Sequence, residues 1–420
     1  MASSFSSSLL LLPLLFSLLC LQASSSSFSL PLTKDASTLQ YLTTLSHGTP
    51  LVPTNLVLDL GGPLLWLDCS SPPNTPSSSL SAIFLRSIRC LTAKSPQIET
   101  RTWLSSLANP ADQDHPCHIP TENTITGKRV FEGELVEDLV VLLPREESRA
   151  RKIQPSEHQI LFVCSPSLLL NGLATGAKGI VGLGRSRTSF SSQVFHSLTT
   201  HRKFALCLSP SSGAVLFGKT GFESQPGSES EILRSLTFTP LVTNQDQTHP
   251  SINVNSIKIN GKRVSFNAPS LSQLSTVVPY TTMQSSIYAN FKSAYLKAAL
   301  SVNMTQVPPV APFGLCFKSN GIGVSQVGPN VPVIDLVMQS EMVKWSIYGR
   351  NSMVQVSNGV MCLGFLDGGL NPGNPIVIGG YQMEDVLLQF DFDTSMVGFS
   401  SSLLMRGTSC SDSRFGSMAA

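Results

Sequence analysis

The residues best suited to chemistry in this sequence of 420 residues are nine cysteines and the histidines that flank one of them. Cysteine thiolates can bind zinc, act as nucleophiles or form disulfides. The densest group of possible metal ligands is His115-Pro116-Cys117-His118, and the sequence contains no CxxC motif. Zinc binding is therefore the minor alternative to disulfide formation, and we predict neither a metal site nor a cofactor.

Two other kinds of site can be tested by motif spacing. A serine hydrolase with a nucleophile elbow needs a GxSxG motif, which the sequence lacks. The segment from Gly179 to Gly184 has the glycine content of a phosphate-binding loop, but no lysine follows it as a P-loop requires. We interpret this segment as the end of a strand that packs against a turn.

The elements that must position these residues are predicted to be mainly β-strands. The chain is 41% hydrophobic and 13% charged and contains 30 Gly and 28 Pro, which is typical of sheets joined by tight turns and excludes disorder. Its formal charge of +2 argues against nucleic-acid binding. Two helices are predicted, at Thr188 to Leu198 and at Ser285 to Leu300. Strands are predicted at Asn55 to Asp59, Leu64 to Asp68, Leu135 to Leu143, Gln159 to Val163, Ala214 to Gly218, Ser251 to Asn260, Pro375 to Ile378 and Val386 to Phe392.

The first residues of the chain indicate secretion. Residues Leu9 to Leu21 are apolar except Ser17, and small residues follow up to Ser27. A bilayer span takes about 20 residues, so this run suits a signal peptide over residues 1–27, with a buried core strand as the alternative. No other apolar run is long enough to span a membrane. We therefore predict no membrane association and a location in the extracellular space or cell wall.

Removal of a signal peptide would take Cys20 with it and leave an even number of cysteines. An even number in a secreted chain predicts disulfides, here four of them. Eight cysteines allow 105 pairings, so their spacing does not assign the partners. The eight are Cys69, Cys90, Cys117, Cys164, Cys207, Cys316, Cys362 and Cys410.

A weak internal repeat relates the two halves of the chain. In the first half, an apolar strand leads into Asp59-Leu60-Gly61-Gly62, and the glycine-rich segment Gly179–Gly184 comes about 120 residues later. In the second half, a similar strand leads into Leu274-Ser275-Thr276-Val277, and Ile376–Gly380 follows about 100 residues later. Each half thus combines a turn with a later strand end rich in glycine.

Together these motifs resemble those of the pepsin-like aspartic proteases, whose two active-site turns read apolar-apolar-Asp-Thr-Gly. The resemblance is stronger to a plant group that contains extracellular dermal glycoprotein, basic 7S globulin, γ-conglutin and the TAXI-type xylanase inhibitors. It implies an all-β, bilobal pepsin-like fold with short helices, an N-terminal lobe over residues 36–225 and a C-terminal lobe over residues 231–420. Further matching motifs are Leu56–Cys69, Lys203–Ser209, Ser275–Thr281, Ala311–Phe317, Cys362–Gly364 and Ile378–Asp385.

The resemblance also implies that the protein is not an enzyme. Active members use two carboxylates that share one proton, one from each turn. Asp59 remains in the first turn, but Ser275 stands where the second aspartate is expected, and a serine has no accessible charge near neutral pH. A register shift does not supply an acid, because no Asp or Glu lies between Asp246 and Asp335. We interpret Asp59 as a structural remnant and the chain as a pseudo-peptidase.

Members of the resembled group inhibit microbial glycoside hydrolases that degrade the cell wall, such as xylanases and xyloglucanases. The resemblance implies that a basic side chain of the C-terminal segment enters the glycosidase cleft, and the matching residue here is Arg406. The loop before Cys316, which contains Gln306, is a second region of contact. We therefore predict an inhibitor with a glycoside hydrolase as its protein partner. The alternatives are an aspartic endopeptidase with residual activity and a storage or peptide-binding protein of seed or cell wall.

Two modifications complete the prediction. Asn303-Met304-Thr305 is the single N-x-S/T sequon and predicts a glycan at Asn303, which would place this segment on the surface. The resemblance implies a disulfide between Cys316 and Cys362, whereas the partners of the other six cysteines stay open.

Overall fold

The structure is a computed structural model that describes residues 28–70, 77–94, 115–142, 155–198, 201–218, 232–242, 249–266 and 269–412. The predicted signal peptide lies outside the described residues. So does the segment Gly221 to Ser230, whose Gly and Ser content predicts either a connection between the lobes or a long surface loop. The fold is mostly β, and its strands fall into one large sheet and several small ones.

The first half of the chain supplies eleven described strands. They are β1 (Phe28–Lys34), β2 (Tyr41–His47), β3 (Val52–Asp59), β4 (Trp66–Asp68), β5 (Ser81–Ala82), β6 (His118–Asn123), β7 (Lys128–Leu142), β8 (Ser156–Ser165), β9 (Gly179–Gly182), β10 (Lys203–Leu208) and β11 (Ser212–Phe217). The end of β3 is a continuous apolar run that is buried on both faces, as expected for a strand that lies between two others inside a sheet.

The second half supplies the remaining described strands, which are mostly shorter. They are β12 (Thr237–Pro240), β13 (Ser251–Val254), β14 (Ser256–Ile259), β15 (Lys262–Arg263), β16 (Ser270–Leu274), β17 (Thr281–Met283), β18 (Gln306–Val307), β19 (Cys316–Lys318), β20 (Val324–Ser325), β21 (Gly328–Pro329), β22 (Ile334–Val337), β23 (Lys344–Ile347), β24 (Met353–Ser357), β25 (Val360–Leu363), β26 (Phe365–Asp367), β27 (Ile376–Ile378), β28 (Leu387–Asp391) and β29 (Met396–Phe399).

The helices are short, with one exception. They are α1 (Ile88–Lys94), α2 (Phe190–Leu198), α3 (Ser285–Ser301), α4 (Gly349–Ser352) and α5 (Gly380–Met383), with 3₁₀ turns at Ser167–Leu170 and Leu403–Arg406. Helix α3 buries Ile287, Phe291 and Tyr295, which are spaced to lie on one face. Among the described residues, no helix has the length and apolarity needed to cross a bilayer.

The large sheet has fourteen strands and joins the two halves of the chain. Strand β10 from the first half pairs antiparallel with β28 from the second half. At this junction the rings of Phe204 and Phe390 stack with their centroids 4.9 Å apart, and Lys203 forms an ion pair with Asp391 at 3.1 Å. The junction lies in the hydrophobic core, so the lobes are connected by buried structure.

Four disulfides join all eight of the predicted cysteines. The bond between Cys316 and Cys362 is the one that the resemblance implied, and it links residues directly opposite each other on β19 and β25. Cys117 is bonded to Cys90, so it is not a free thiolate and the zinc alternative loses its central ligand. The other two bonds are Cys69–Cys164 and Cys207–Cys410.

Candidate functional site

The two turns of the internal repeat lie at corresponding places in the fold. Strand β3 runs parallel to β9 and ends with Asp59 opposite Gly182. Strand β16 runs parallel to β27 with Leu274 opposite Ile378, and Ser275 follows immediately. Asp59 and Ser275 thus stand at equivalent ends of two parallel strand pairs, and both are almost completely buried.

The glycines of the repeat allow the backbone to approach these turns closely. A Cβ atom on Gly182 would lie 2.4 Å from the carbonyl oxygen of Gly62, and one on Gly379 would lie 2.8 Å from that of Val278. Only glycine fits both positions without a shift of the backbone. This confirms the predicted end of a strand packed against a turn within Gly179–Gly184.

Each oxygen of the Asp59 carboxylate accepts a hydrogen bond from the protein. Its Oδ1 accepts a hydrogen bond from the backbone N–H of Gly61 at 2.9 Å, within the same turn. Its Oδ2 accepts one from the hydroxyl of Thr124 at 2.7 Å. Thr124 begins the turn between β6 and β7, so this hairpin lies directly on the carboxylate. No local pattern predicts the second bond, because 65 residues separate its partners.

A side chain of the second turn (Leu274–Val277) forms hydrogen bonds with the backbone of the first turn (Asp59–Gly62). The corresponding residue of the first turn cannot form the equivalent bonds in return. The hydroxyl of Thr276 donates to the carbonyl oxygen of Leu58 at 2.8 Å and accepts from the N–H of Leu60 at 3.0 Å. Leu60 has no hydroxyl with which to return this pair of bonds. The side chain of Ser275 turns back on its own loop, where its Oγ accepts from the N–H of Val278 at 3.2 Å.

A cleft of about 910 Å³ opens beside these turns, and Ser275 is part of its lining. Asp59 lines a smaller recess of about 150 Å³ that shares the residues of the β6–β7 hairpin with the cleft. His249 packs against Gly61 so closely that a Cβ there would lie 1.6 Å from the imidazole Nδ1. His249 therefore covers the first turn from the C-terminal half of the chain, a contact that no motif predicted.

The structure places Arg406 outside the cleft. It is the last residue of the 3₁₀ turn Leu403–Arg406, which Gly407 ends in the left-handed conformation at φ 66°. The guanidinium is exposed and donates a hydrogen bond to the Ser235 hydroxyl at 2.8 Å. The disulfide Cys207–Cys410 ties the segment to β10. Arg406 is thus presented on an anchored surface loop.

The other two predicted site residues are also at the surface. Gln306 is exposed on β18, a two-residue strand that pairs with β19 beside the Cys316–Cys362 bond. Asn303 is exposed just after α3 with a φ of 62°. The sequon therefore meets the condition of accessibility for a glycan.

Both halves of the chain match models of one protein family. The family model described as "Xylanase inhibitor N-terminal" matches residues 41–219, and the model described as "Xylanase inhibitor C-terminal" matches residues 251–401. The two matches cover most of the chain in the order of the family. The chain belongs to the TAXi family.

Proteins of similar sequence carry names that refer to different functions. The chain is 43% identical to "Probable aspartic proteinase GIP2" of Nicotiana benthamiana, with 93% of this chain and 92% of that protein covered. It is 38% identical to "Gamma conglutin 1" of Prunus dulcis, with coverage of 91% and 88%. The TAXi relatives thus include proteins named for a proteinase and for a seed globulin.

Solved structures agree with the family and the fold. The crystal structure of edgp is similar at a TM-score of 0.81 and 37% identity, with 93% of this chain and 98% of that chain covered. The aspartic proteinase from Irpex lacteus matches at a TM-score of 0.58 with 15% identity and coverage of 91% and 100%, which shows the fold alone. The TAXi chain therefore has the bilobal, pepsin-like fold that the motifs predicted.

Proposed function

We propose that this TAXi-family chain is a secreted, catalytically inactive pepsin-like protein that binds and inhibits a glycoside hydrolase of the class that degrades plant cell walls. The match of both halves to the xylanase-inhibitor models is the observation that carries the proposal. The predicted signal peptide and four disulfides support secretion.

The arrangement of the two turns supports the loss of catalysis. Acid proteolysis in this fold requires a water held between two carboxylates that share a proton. We infer that Ser275 replaces the second aspartate, because it stands at the position equivalent to Asp59. A serine hydroxyl cannot share the proton, and both oxygens of Asp59 already accept hydrogen bonds from the protein. Such a site lacks the chemistry for peptide hydrolysis.

Arg406 is the residue that we propose for contact with the target. Its exposed guanidinium has five N–H donors, and the bond to Ser235 uses one while holding the side chain in place. The cleft of a glycosidase contains a pair of carboxylates, to which an arginine can form charge-assisted hydrogen bonds. Gln306 is the second proposed contact, because it is exposed in the loop before Cys316.

The test is inhibition of purified xylanases and xyloglucanases by the secreted protein and by Arg406→Ala. Loss of a charged hydrogen bond at a desolvated contact is worth about 1.5–3 kcal/mol, so we expect Ki to rise about 10- to 150-fold. Arg263→Ala is the matched control, since Arg263 is exposed on β15 and should leave Ki unchanged. Equal Ki values for Arg406→Ala and the native protein would contradict the role of Arg406.

The names of the similar proteins suggest two other functions, and each predicts a different experimental result. Cleavage of peptide substrates at acid pH that Asp59→Asn abolishes would establish an aspartic peptidase instead. The 38% identity to a γ-conglutin favours a storage protein as the second candidate. A storage role predicts abundance in seed and no complex with any of the hydrolases in a co-purification experiment.

A further inference from the structure

One buried residue, Asp385, contacts both ends of residues 403–410, the stretch of chain that carries Arg406 and is called the Arg406 segment below. Asp385 is 2% exposed. Its Oδ1 accepts hydrogen bonds from the Ser409 hydroxyl at 2.7 Å and from the Cys410 N–H at 3.0 Å. Its backbone carbonyl oxygen accepts the N–H of Leu403 at 2.8 Å. A single residue therefore joins the start of the segment to its end.

Asp385 also joins the segment to the N-terminal half of the chain. Its N–H donates to the carbonyl oxygen of Leu208, the last residue of β10, at 2.7 Å. The preceding residue, Cys207, forms the disulfide with Cys410. This disulfide holds only the end of the segment, whereas Asp385 is bonded to both ends and to the strand.

The conformation of Asp385 is unfavourable in two respects. Its φ of 53° lies in the left-handed region, which residues other than glycine rarely adopt, although Asp and Asn do so more readily than most. Its carboxylate is buried, and no cation within the described part of the chain forms an ion pair with it. Burial of a carboxylate costs free energy that hydrogen bonds must offset. Both donors to this carboxylate come from the Arg406 segment.

We propose that Asp385 is a positioning residue that holds the Arg406 segment in one conformation for contact with the hydrolase, an inference that rests on the proposed function. A loop that is ordered before binding loses less conformational entropy in the complex, so its preorganisation strengthens binding. Gly407 adopts the left-handed conformation that ends the 3₁₀ turn, and Ser235 accepts a hydrogen bond from the guanidinium of Arg406. Asp385 is buried, so it acts through the backbone that carries Arg406 and not by touching the target.

Limited proteolysis measures the order of the segment without any target. Trypsin cleaves after arginine, and cleavage of a held segment follows its local opening. We expect the bond after Arg406 to be cut at least about 10-fold faster in Asp385→Gly than in the native protein, as followed by mass spectrometry. Glycine accepts the left-handed backbone, so this variant removes the carboxylate without adding steric strain. Cleavage after Arg263 on β15 is the internal reference and should keep its rate.

Three further variants identify the hydrogen bonds that hold the segment. Asp385→Asn keeps an oxygen acceptor, and its amide group would replace Oδ2, which accepts no hydrogen bond from the described residues, so it should resist trypsin like the native protein. Ser409→Ala removes one donor and should be cut at an intermediate rate. Ser401→Ala is the matched control, because Ser401 is exposed and forms no hydrogen bond within the described part of the chain. If Asp385→Gly fails to fold, Ser409→Ala decides the test, since Ser409 is partly exposed.

Inhibition of the hydrolase tests whether the held segment matters for the target. The Ki of Asp385→Gly should rise about 10-fold, and Asp385→Asn should restore the native value. Asp385→Gly combined with Arg406→Ala should inhibit no more weakly than Arg406→Ala alone, because both changes act on the contact of one guanidinium. A merely structural role would add its effect to that of Arg406→Ala. Additive effects, or an unchanged Ki despite faster cleavage, would overturn the positioning role.

The two measurements separate this inference from the proposed function. If the native protein inhibits no hydrolase, the proposed function falls, whereas faster cleavage of Asp385→Gly after Arg406 would still show that Asp385 holds the segment. Equal cleavage rates in the native protein and Asp385→Gly would overturn the inference even if the native protein is an inhibitor.

Discussion

At the scale of single residues, the surroundings of Ser275 determine whether a second carboxylate at this position could restore catalysis. We predict that Ser275→Asp does not create peptidase activity. Residue 275 is 2% exposed, and neither Leu60 nor Gly62 carries a hydroxyl that could hydrogen-bond a carboxylate. The new carboxyl would be buried beside the Val278 N–H, the donor that now reaches the side chain of residue 275, and because one donor does not offset the burial of a carboxyl, stability should fall by about 1–3 kcal/mol.

Cleavage of a fluorogenic peptide between pH 3 and 5, together with urea unfolding, checks this prediction. Ser275→Ala is the control, because it removes only the hydrogen bond with Val278 and should be milder at about 1 kcal/mol. Activity in Ser275→Asp that disappears when Asp59→Asn is added would show that a single replacement restores the carboxylate pair.

At the scale of elements, the close approach of β9 to β4 depends on a glycine. A Cβ on Gly179 would lie 2.0 Å from the backbone carbonyl oxygen of Trp66, and neither backbone can move without disturbing the sheet. We expect Gly179→Ala to lower the free energy of unfolding by about 2–3 kcal/mol in urea titrations. Gly373→Ala is the matched control, since no atom lies within 4 Å of the position that its Cβ would take, so the free energy of unfolding should change little. Similar stabilities of the two variants would contradict this account.

Sequence patterns predicted the helices and strands better than they predicted the contacts of the site. The predicted helix from Ser285 closely matches α3, because its apolar spacing alone specifies the buried face. The helix predicted from Thr188 begins at Phe190 instead, because the Ser189 hydroxyl accepts the N–H of Ser192 and caps it. The predicted strand from Ser251 to Asn260 is two strands, since β13 pairs with β16 whereas β14 pairs with β22.

The site was less predictable than the elements because it is made by contacts between distant segments. The motifs identified Asp59 and Ser275, since each ends a strand of recognisable pattern. The Thr124 hydroxyl on Asp59, the packing of His249 on Gly61 and the bond from Arg406 to Ser235 have no local signature. They depend on how the sheets pack, which periodicity does not encode.

At the scale of the whole molecule, a buried acid links the two halves of the chain. Glu384 accepts hydrogen bonds from Lys34 on β1 and from the Tyr41 hydroxyl on β2. Burial raises the pKa of Glu384 above its ordinary value of 4.5 despite the neighbouring ammonium group. The folded state therefore holds this proton more tightly than the unfolded state. The resulting stabilisation is fully present below pH 4.5 and is lost as the pH rises through the raised value.

We therefore expect the Tm difference between the native protein and Glu384→Gln to shift in favour of the native protein as the pH falls from 7 to 5. Thermal unfolding across this range measures it, and other titrating groups cancel in the difference. Glu341→Gln is the control, because a hydrogen bond from Lys258 lowers the pKa of the exposed Glu341 and its difference should stay flat above pH 5. A flat profile for Glu384→Gln would show that the buried carboxyl does not titrate there.

The two hydrogen bonds of the Thr276 hydroxyl, which the first turn does not return, have a consequence for any attempt to restore the carboxylate pair. On the proposed assignment, restoring the carboxylate pair would require an acid at Ser275 and a hydroxyl at Leu60, and both positions are packed inside the turns. Leu60 and Ser275 are both buried, so the two changes would have to be accommodated in the same packed region, whereas the exposed segments that carry Arg406 and Gln306 can vary without touching it.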